Sequence, residues 1–187
     1  MTLHIRNMVC NRCIMVVGTE LEKMGLHPLS VSLGYVELKE ALTDSQFAEL
    51  NKKLVDLGFE ILDDRKSRII EKIKNELVTL AHYTEEQPRE NISSYLSSRL
   101  HHDYNYLSSL FSESEGTTIE KYFIAQKIER VKELLEYDEL TLSGIALEMG
   151  YSSVAHLSSQ FKKVTGQTPS QYKTTLNRAG RTPLDKL

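Results

Sequence analysis

The hydrophobic pattern stops switching period at Asp63-Asp64, and that limits what the chain can become. Ahead of it, short alternating and short helical runs take turns. Thr2 to Met8 puts Leu3 and Ile5 on one face and His4 and Arg6 on the other, the period of a half-buried strand. Cys13 to Met24 then carries Ile14, Val17, Leu21 and Met24 at helical spacing. Leu29 to Lys39 alternates again through Leu29, Val31, Leu33, Val36 and Leu38, with Gly34 as a hairpin turn. Thr43-Asp44 caps a helix with Phe47, Leu50, Leu54 and Leu57 on one face; Gly58 ends it, and Phe59 to Leu62 is a last strand.

Beyond Asp63-Asp64 every periodic stretch is helical. Ser67 to Tyr83 spaces Ile69, Ile70, Ile73, Leu77 and Leu80 as an amphipathic connector, and Glu85 to Asn91, with Pro88, is a polar break. Two short helices follow, one with Ile92, Leu96 and Leu100, the next capped by Asp103 and carrying Leu107, Leu110 and Phe111. Gly116-Thr117-Thr118 opens a longer helix through Glu136, and then the short pair recurs: Thr141 to Met149, a turn at Gly150-Tyr151, and Ser152 to Thr165. Thr168-Pro169-Ser170 starts a final short helix. Leu107-Ser108-Ser109-Leu110-Phe111 is echoed 50 residues later by Leu157-Ser158-Ser159-Gln160-Phe161, and Gly116-Thr117-Thr118 by Gly166-Gln167-Thr168. A duplicated unit is expected.

The βαββαβ order is that of the split-βαβ, ferredoxin-like arrangement. The expected fold is therefore an α+β, ferredoxin-like N-terminal domain over residues 1–65, a connecting helix 66–84, and an all-α double helix-turn-helix domain over 85–187. In the latter, units 91–115 and 141–166 are joined by a linker helix, 118–136. A length of 187 residues accommodates one mid-sized or two small domains, and 40% apolar with 26% charged residues excludes a disordered chain, a collagen and a disulfide scaffold. Met1 to Arg6 lacks the form of an export signal and Cys13 to Val17 is too short to span a bilayer, so a cytoplasmic protein without membrane contact is expected.

Residues 150 to 173, GYSSVAHLSSQFKKVTGQTPSQYK, carry a Gly-aromatic turn, a helix ending Phe-Lys-Lys, a Gly, then Thr-Pro and an aromatic; residues 127 to 135 read KIERVKELL. From about Ser67 to Lys173 the chain resembles the AraC/XylS family DNA-binding domain, two helix-turn-helix units joined by a linker helix, with Lys127 where the family usually has Arg. The residues make sense of the pattern: Gly150 permits a left-handed turn and Ala146 a close helix crossing. Leu157 and Phe161, with Tyr172, would face the core, leaving Ala155, His156, Ser159 and Lys163 outward on a helix placed to enter the major groove. The resemblance puts base reading on Val154, Ala155 and Ser159, and in the first unit on Asn105, Ser108 and Ser109. Asn can pair with adenine, Ser with either edge, and Ala or Val can meet a thymine methyl. Lys162, Lys163, Lys173 and Arg178 suit phosphate. Outward Ser and Lys are ordinarily just solvated, and His156 alone reads as a surface histidine; the surrounding pattern is what gives this face a role. The chain departs from the family at His101, where a turn Gly is common, at Ser97, where Ala is, and in offering mostly Ser at reading positions.

Cys10 and Cys13 form Met8-Val9-Cys10-Asn11-Arg12-Cys13 at the junction of the first strand and first helix. Residues 1 to 65 resemble heavy-metal-associated domains, which bind Cu(I) or another soft ion through both thiolates, although Asn7 and Val9 depart from that family's usual Gly, and Thr or His. The spacing turns both sulfurs to one ion, and the helix N-terminus with Arg12 favours thiolate. Two ligands suit Cu(I); tetrahedral Zn(II) would need two more, from His4 or a second chain. Redox activity, or thiols merely retained in a structural or dimerising domain, are the other readings.

Net charge is −3, yet residues 149–187 carry +5 and the remainder −8, so any nucleic-acid partner has a local footing. The expected function is a sequence-specific regulator of AraC type binding double-stranded DNA, responsive to a metal or oxidant at Cys10/Cys13, with RNA polymerase and a second copy joined through the N-terminal domain as further partners. The alternatives are a metal carrier whose helices serve only protein contacts and, last, a thiol oxidoreductase. No paired carboxylates, Ser/His/Asp set or phosphate loop supports an enzyme.

Overall fold

A computed structural model describes residues 1–62, 65–84 and 90–174, and the chain divides into two compact units, Met1–Asn75 and Glu76–Leu187. The expected boundaries after 65 and 84 fall beside residues 63–64 and 85–89, which lie outside the described residues with Asp63-Asp64 and Pro88.

In the first unit the element order is β1 (Thr2–Arg6), α1 (Asn11–Lys23), β2 (Pro28–Ser32), β3 (Tyr35–Leu38), α2 (Asp44–Asp56) and β4 (Glu60–Leu62). The strands form one antiparallel sheet in the order β2-β3-β1-β4. Leu3 and Ile5 of β1 and Val36 and Leu38 of β3 lie on one face, where they share a core with Val17 and Leu21 of α1 and Leu50 and Leu54 of α2. Thr43 caps α2 in a capping box with Gln46.

Three apolar residues expected on core faces are outside them. Leu29 is 69% exposed because pairing of β2 with β3 shifts register between Pro28 and Ser30, and a bulge breaks the alternation there. Leu57 lies past the end of α2 and is 47% exposed; Phe47, in the first turn, is also exposed, so only the middle of the apolar stripe meets the sheet.

Helix α3 (Arg65–His82) crosses the division between the units. Its Ile69, Ile70 and Ile73 are buried, as is Glu71 among them. The second unit continues with α4 (Ile92–Leu100), α5 (Tyr104–Glu115), α6 (Ile119–Tyr137), α7 (Leu142–Glu148), α8 (Val154–Thr165) and α9 (Pro169–Thr174). Helix α6 supplies Ile128, Val131, Leu134 and Leu135 to a core completed by Ile145, Ala146, Met149, Leu157, Phe161 and Tyr172.

The duplication is visible in the packing. Phe111 and Tyr122 meet edge to face at 5.5 Å, and Phe161 and Tyr172, each 50 residues on, do the same at 5.6 Å. Gly116 and Gly166 end α5 and α8 in left-handed conformation, each donating its N–H to a carbonyl of the last turn, Ser112 or Lys162.

Candidate nucleic-acid interface

Each helix pair needs a sharp turn and a firm start for its second helix. Between α7 and α8 the left-handed residue is Gly150, φ 67°, and Ser153 caps α8 by accepting the N–H of His156 at 3.1 Å. Between α4 and α5 the left-handed residue is His101, φ 55°, and Asp103 accepts the N–H groups of Asn105 and Tyr106. A β-carbon in this region is strained, so the first turn holds His101 at a cost that Gly150 avoids.

Helix α8 buries Leu157 and Phe161 and leaves Ala155, His156, Ser159, Lys162 and Lys163 exposed. Val154 is only half-exposed, because it packs against the core of the second unit. On α5, Leu107, Leu110 and Phe111 are buried, Asn105 and Ser109 are exposed, and Ser108 is half-buried.

The basic side chains differ in availability. Neither Lys162 nor Lys163 pairs with a carboxylate among the described residues, whereas Lys173 on α9 pairs with Asp138. Arg178 lies outside the described residues, as do Arg181 and Lys186. His156 is held by its own turn: its Nδ1 lies 3.1 Å from Ser152 Oγ and its ring meets that of Tyr151 edge to face at 5.3 Å.

Spacing did not reveal what supports α8 from behind. Lys127 of α6 places Nζ 4.2 Å from the centre of the Tyr151 ring, a cation–π contact, and the Tyr151 hydroxyl donates to Gln160 Oε1 at 2.6 Å. Burial pulls the Lys127 ammonium down to about 8 and pushes the Tyr151 phenol up to about 12. A cation kept beneath an aromatic at the turn is a reason for Lys127 that its place in KIERVKELL did not supply. Its only signal in the sequence was a basic residue among Phe123, Ile124 and Ile128 on a core-facing helix.

In the first unit, Cys10 is the N-cap of α1 and Cys13 lies in its first turn. Their Sγ atoms are 3.4 Å apart, and both cysteines are half-buried and free. Burial is the largest influence on Cys13 and raises its thiol above the ordinary range. Met8 is fully buried beneath the loop and Arg12 is exposed. Among the described residues no group of three or more His, Cys, Asp or Glu gathers for a metal, so His4 is not brought to the thiols. His4 instead sits on β1 with Lys72 and Arg68 of α3 near it; burial, then those charges, lowers its pKa.

Against this geometry, a model for a helix-turn-helix domain matches residues 96–175. Over those residues the C-terminal part of the chain is a helix-turn-helix domain. An uncharacterized HTH-type transcriptional regulator of Staphylococcus aureus (strain MSSA476) is 32% identical to the chain over 111 residues, 59% of this chain and 14% of that protein. YtdP of Bacillus subtilis (strain 168), described in the same words, is 24% identical over 157 residues, 79% of this chain and 20% of that protein. The chain thus spans a small part of these relatives' length. The C-terminal domain of AraT, a response regulator from Geobacillus stearothermophilus, shares the fold of this helical part: TM-score 0.53 at 23% identity, covering 64% of this chain and 95% of that one. None of these comparisons carries the heavy-metal-associated resemblance of the first unit. Among the described residues no helix is long and apolar enough to cross a membrane.

Proposed function

We propose that the chain is a sequence-specific, double-stranded-DNA-binding transcriptional regulator of AraC type, acting in the cytoplasm. The observation that carries this reading is α8: a capped helix standing on a left-handed turn, with Ala155 and Ser159 exposed on its outer side and, at its end, two lysines that pair with no carboxylate among the described residues. In this reading Val154, Ala155, His156 and Ser159 face bases in the major groove, with Asn105, Ser108 and Ser109 of α5 in a neighbouring segment. Lys162, Lys163 and Lys173 meet phosphate, Lys173 after leaving Asp138. RNA polymerase, and a second copy joined through the N-terminal domain, complete the assembly.

The N-terminal part, residues 1–65, is assigned in the same proposal to a ferredoxin-like, heavy-metal-associated-like sensor; its strand order β2-β3-β1-β4 and the thiol pair at 3.4 Å support it. Cys10 and Cys13 would hold a soft ion or act as a redox pair. Two thiols fit Cu(I), a two-coordinate ion, while Zn(II) finds no further ligand group among the described residues. The connecting helix, residues 66–84, would pass the change to the DNA-binding part, residues 85–187.

Selection of bound sequences from a random duplex library, repeated with Cu(I), Zn(II) and oxidant, tests both parts. The proposal expects one enriched motif whose recovery changes with at least one additive and loses that change in the Cys10→Ser/Cys13→Ser variant. Failure to enrich any motif, together with ion transfer to a partner, would establish a carrier instead.

A further inference from the structure

Glu71 is a carboxylate inside an apolar stripe, only 3% exposed between Ile70 and Ile73, on the part of α3 that belongs to the first unit. Burying a carboxylate without partners is costly. One of its partners is in the cysteine loop: Glu71 Oε1 accepts the backbone N–H of Asn7 at 3.1 Å. Asn7 joins β1 to that loop with φ 72°, in the left-handed region that Asn tolerates better than most residues with a side chain. Two further ties hold it. Its Nδ2 donates to the Gly58 carbonyl at 2.9 Å, and its own carbonyl accepts from the Cys13 thiol, with Sγ to O 3.7 Å. A left-handed residue is thus held by α3 on one side and by the Cys13 thiol on the other.

We propose that Glu71 is a positioning residue for the Cys10/Cys13 pair, and that the first part of α3 responds through Asn7 to whether those thiols are reduced or joined. This rests on the sensing reading of the pair and names how its state leaves the loop. In the reduced form the Cys13 S–H is the donor to Asn7. A low-molecular-weight disulfide such as oxidised glutathione removes it. Both cysteine S–H bonds break and one S–S bond forms between Sγ atoms now 3.4 Å apart, while the S–S bond of the reagent breaks and its halves leave as two thiols carrying the protons and electrons. Cys13 then has no hydrogen to donate, the Asn7 carbonyl loses that partner, and Asn7, no longer held at its carbonyl, turns its N–H away from Glu71 Oε1, so that this bond is made in the reduced state and weakened in the oxidised one. By linkage, whatever loosens the Glu71 grip favours the oxidised pair, and oxidation loosens the grip.

The test uses the full chain equilibrated in glutathione buffers, with thiols counted by alkylation and mass. Loss of a hydrogen bond to a charged group corresponds to about tenfold in an equilibrium constant, so Glu71→Ala is expected to favour the disulfide by about tenfold. Glu71→Gln keeps an acceptor at the same reach and should move the constant by less than about threefold. Lowered melting temperature in both variants with an unmoved constant would show a merely structural glutamate and overturn the proposal. Wild-type hydrogen exchange needs no variant. Oxidation should speed exchange of the Asn7 amide and of α3 amides around Glu71 by about tenfold, a loss of the same size, and leave Leu50 and Leu54 of α2 unchanged. Equal exchange in both states at Asn7 and α3 also overturns it. DNA affinity indifferent to the thiol state would remove the sensing reading while leaving both of these measurements to stand or fall alone.

Discussion

The two helix-turn-helix units of the C-terminal part share one pattern and keep different parts of it. Their exposed helices align with an offset of 50 residues, so Leu107, Phe111, Gly116, Thr118 and Tyr122 answer to Leu157, Phe161, Gly166, Thr168 and Tyr172. Their first helices align at 49: Leu96 with Ile145, both fully buried, and Ser97 with Ala146. The second turn is therefore one residue longer, with its left-handed residue three positions before the cap, against two in the first. What both retain is apolar packing and capping. What differs is the residue at the strained position, His101 against Gly150, and the charge at the end of the exposed helix. Ser112 and Glu113 stand where α8 has Lys162 and Lys163. Packing is common to the two units, then, while the lysine pair at the end of the exposed helix belongs to the second.

The largest effect should come where the units agree. Phe111→Ala and Phe161→Ala each remove a fully buried ring and should cost about 3–5 kcal/mol. Urea unfolding should show a comparable loss for both; a loss confined to Phe161→Ala would break the equivalence. The charge difference comes next. Replacing Lys162 and Lys163 with Ala should flatten the dependence of log affinity on log salt by roughly 0.9 per lysine that meets a phosphate, and Glu113→Lys should steepen it by a similar amount if α5 lies equally close to DNA. Anisotropy titrations at several salt concentrations measure both, and an unchanged slope in Glu113→Lys places α5 away from the phosphates.

The turns give a smaller contrast. Gly150→Ala should destabilise by about 1–2 kcal/mol, and His101→Gly should stabilise, by less than about 1 kcal/mol because glycine also loosens the unfolded chain. Thermal melts of the two variants should move in opposite directions. The smallest effect separates the units by pH. Lys127, which supports only the second turn, titrates at about 8 when folded, against an ordinary 10.5. Between those values the unfolded chain binds the extra proton, so stability rises with pH across the window, and the penalty on the buried cation is fully present below pH 8. Tyr151, pushed up to about 12, reverses the trend above its ordinary 10. Denaturant titrations from pH 7 to 10 should show the rise in wild type and a flatter profile in Lys127→Met.

Much of this is legible in the sequence. Strand and helix order in the first unit followed from switches of period, and α8 from a cap, a stripe and a terminal glycine. The legible features are local: each depends on residues within one or two turns of each other. Leu29 was misplaced because a bulge is a property of strand pairing, and Leu57 because α2 ends one residue before it, neither of which spacing along one segment encodes. Val154 shows the same limit. Its position on α8 is set by period, but how far it sinks into the core depends on α6 and α7.

Charge and chemistry divide in the same way. The sequence alone determined two structural regimes, a duplicated helical unit, a basic C-terminal segment and a thiol pair at the start of a helix. Only the tertiary structure decided which charges are spent. It paired Lys173 with Asp138, left Lys162 and Lys163 unpaired among the described residues, seated Lys127 over Tyr151, and brought Glu71 to the amide of Asn7, 64 residues away in sequence. The physical reason is range. Period and capping act over a few residues, whereas burial and hydrogen bonding are set by whatever the fold places alongside, however distant in the chain.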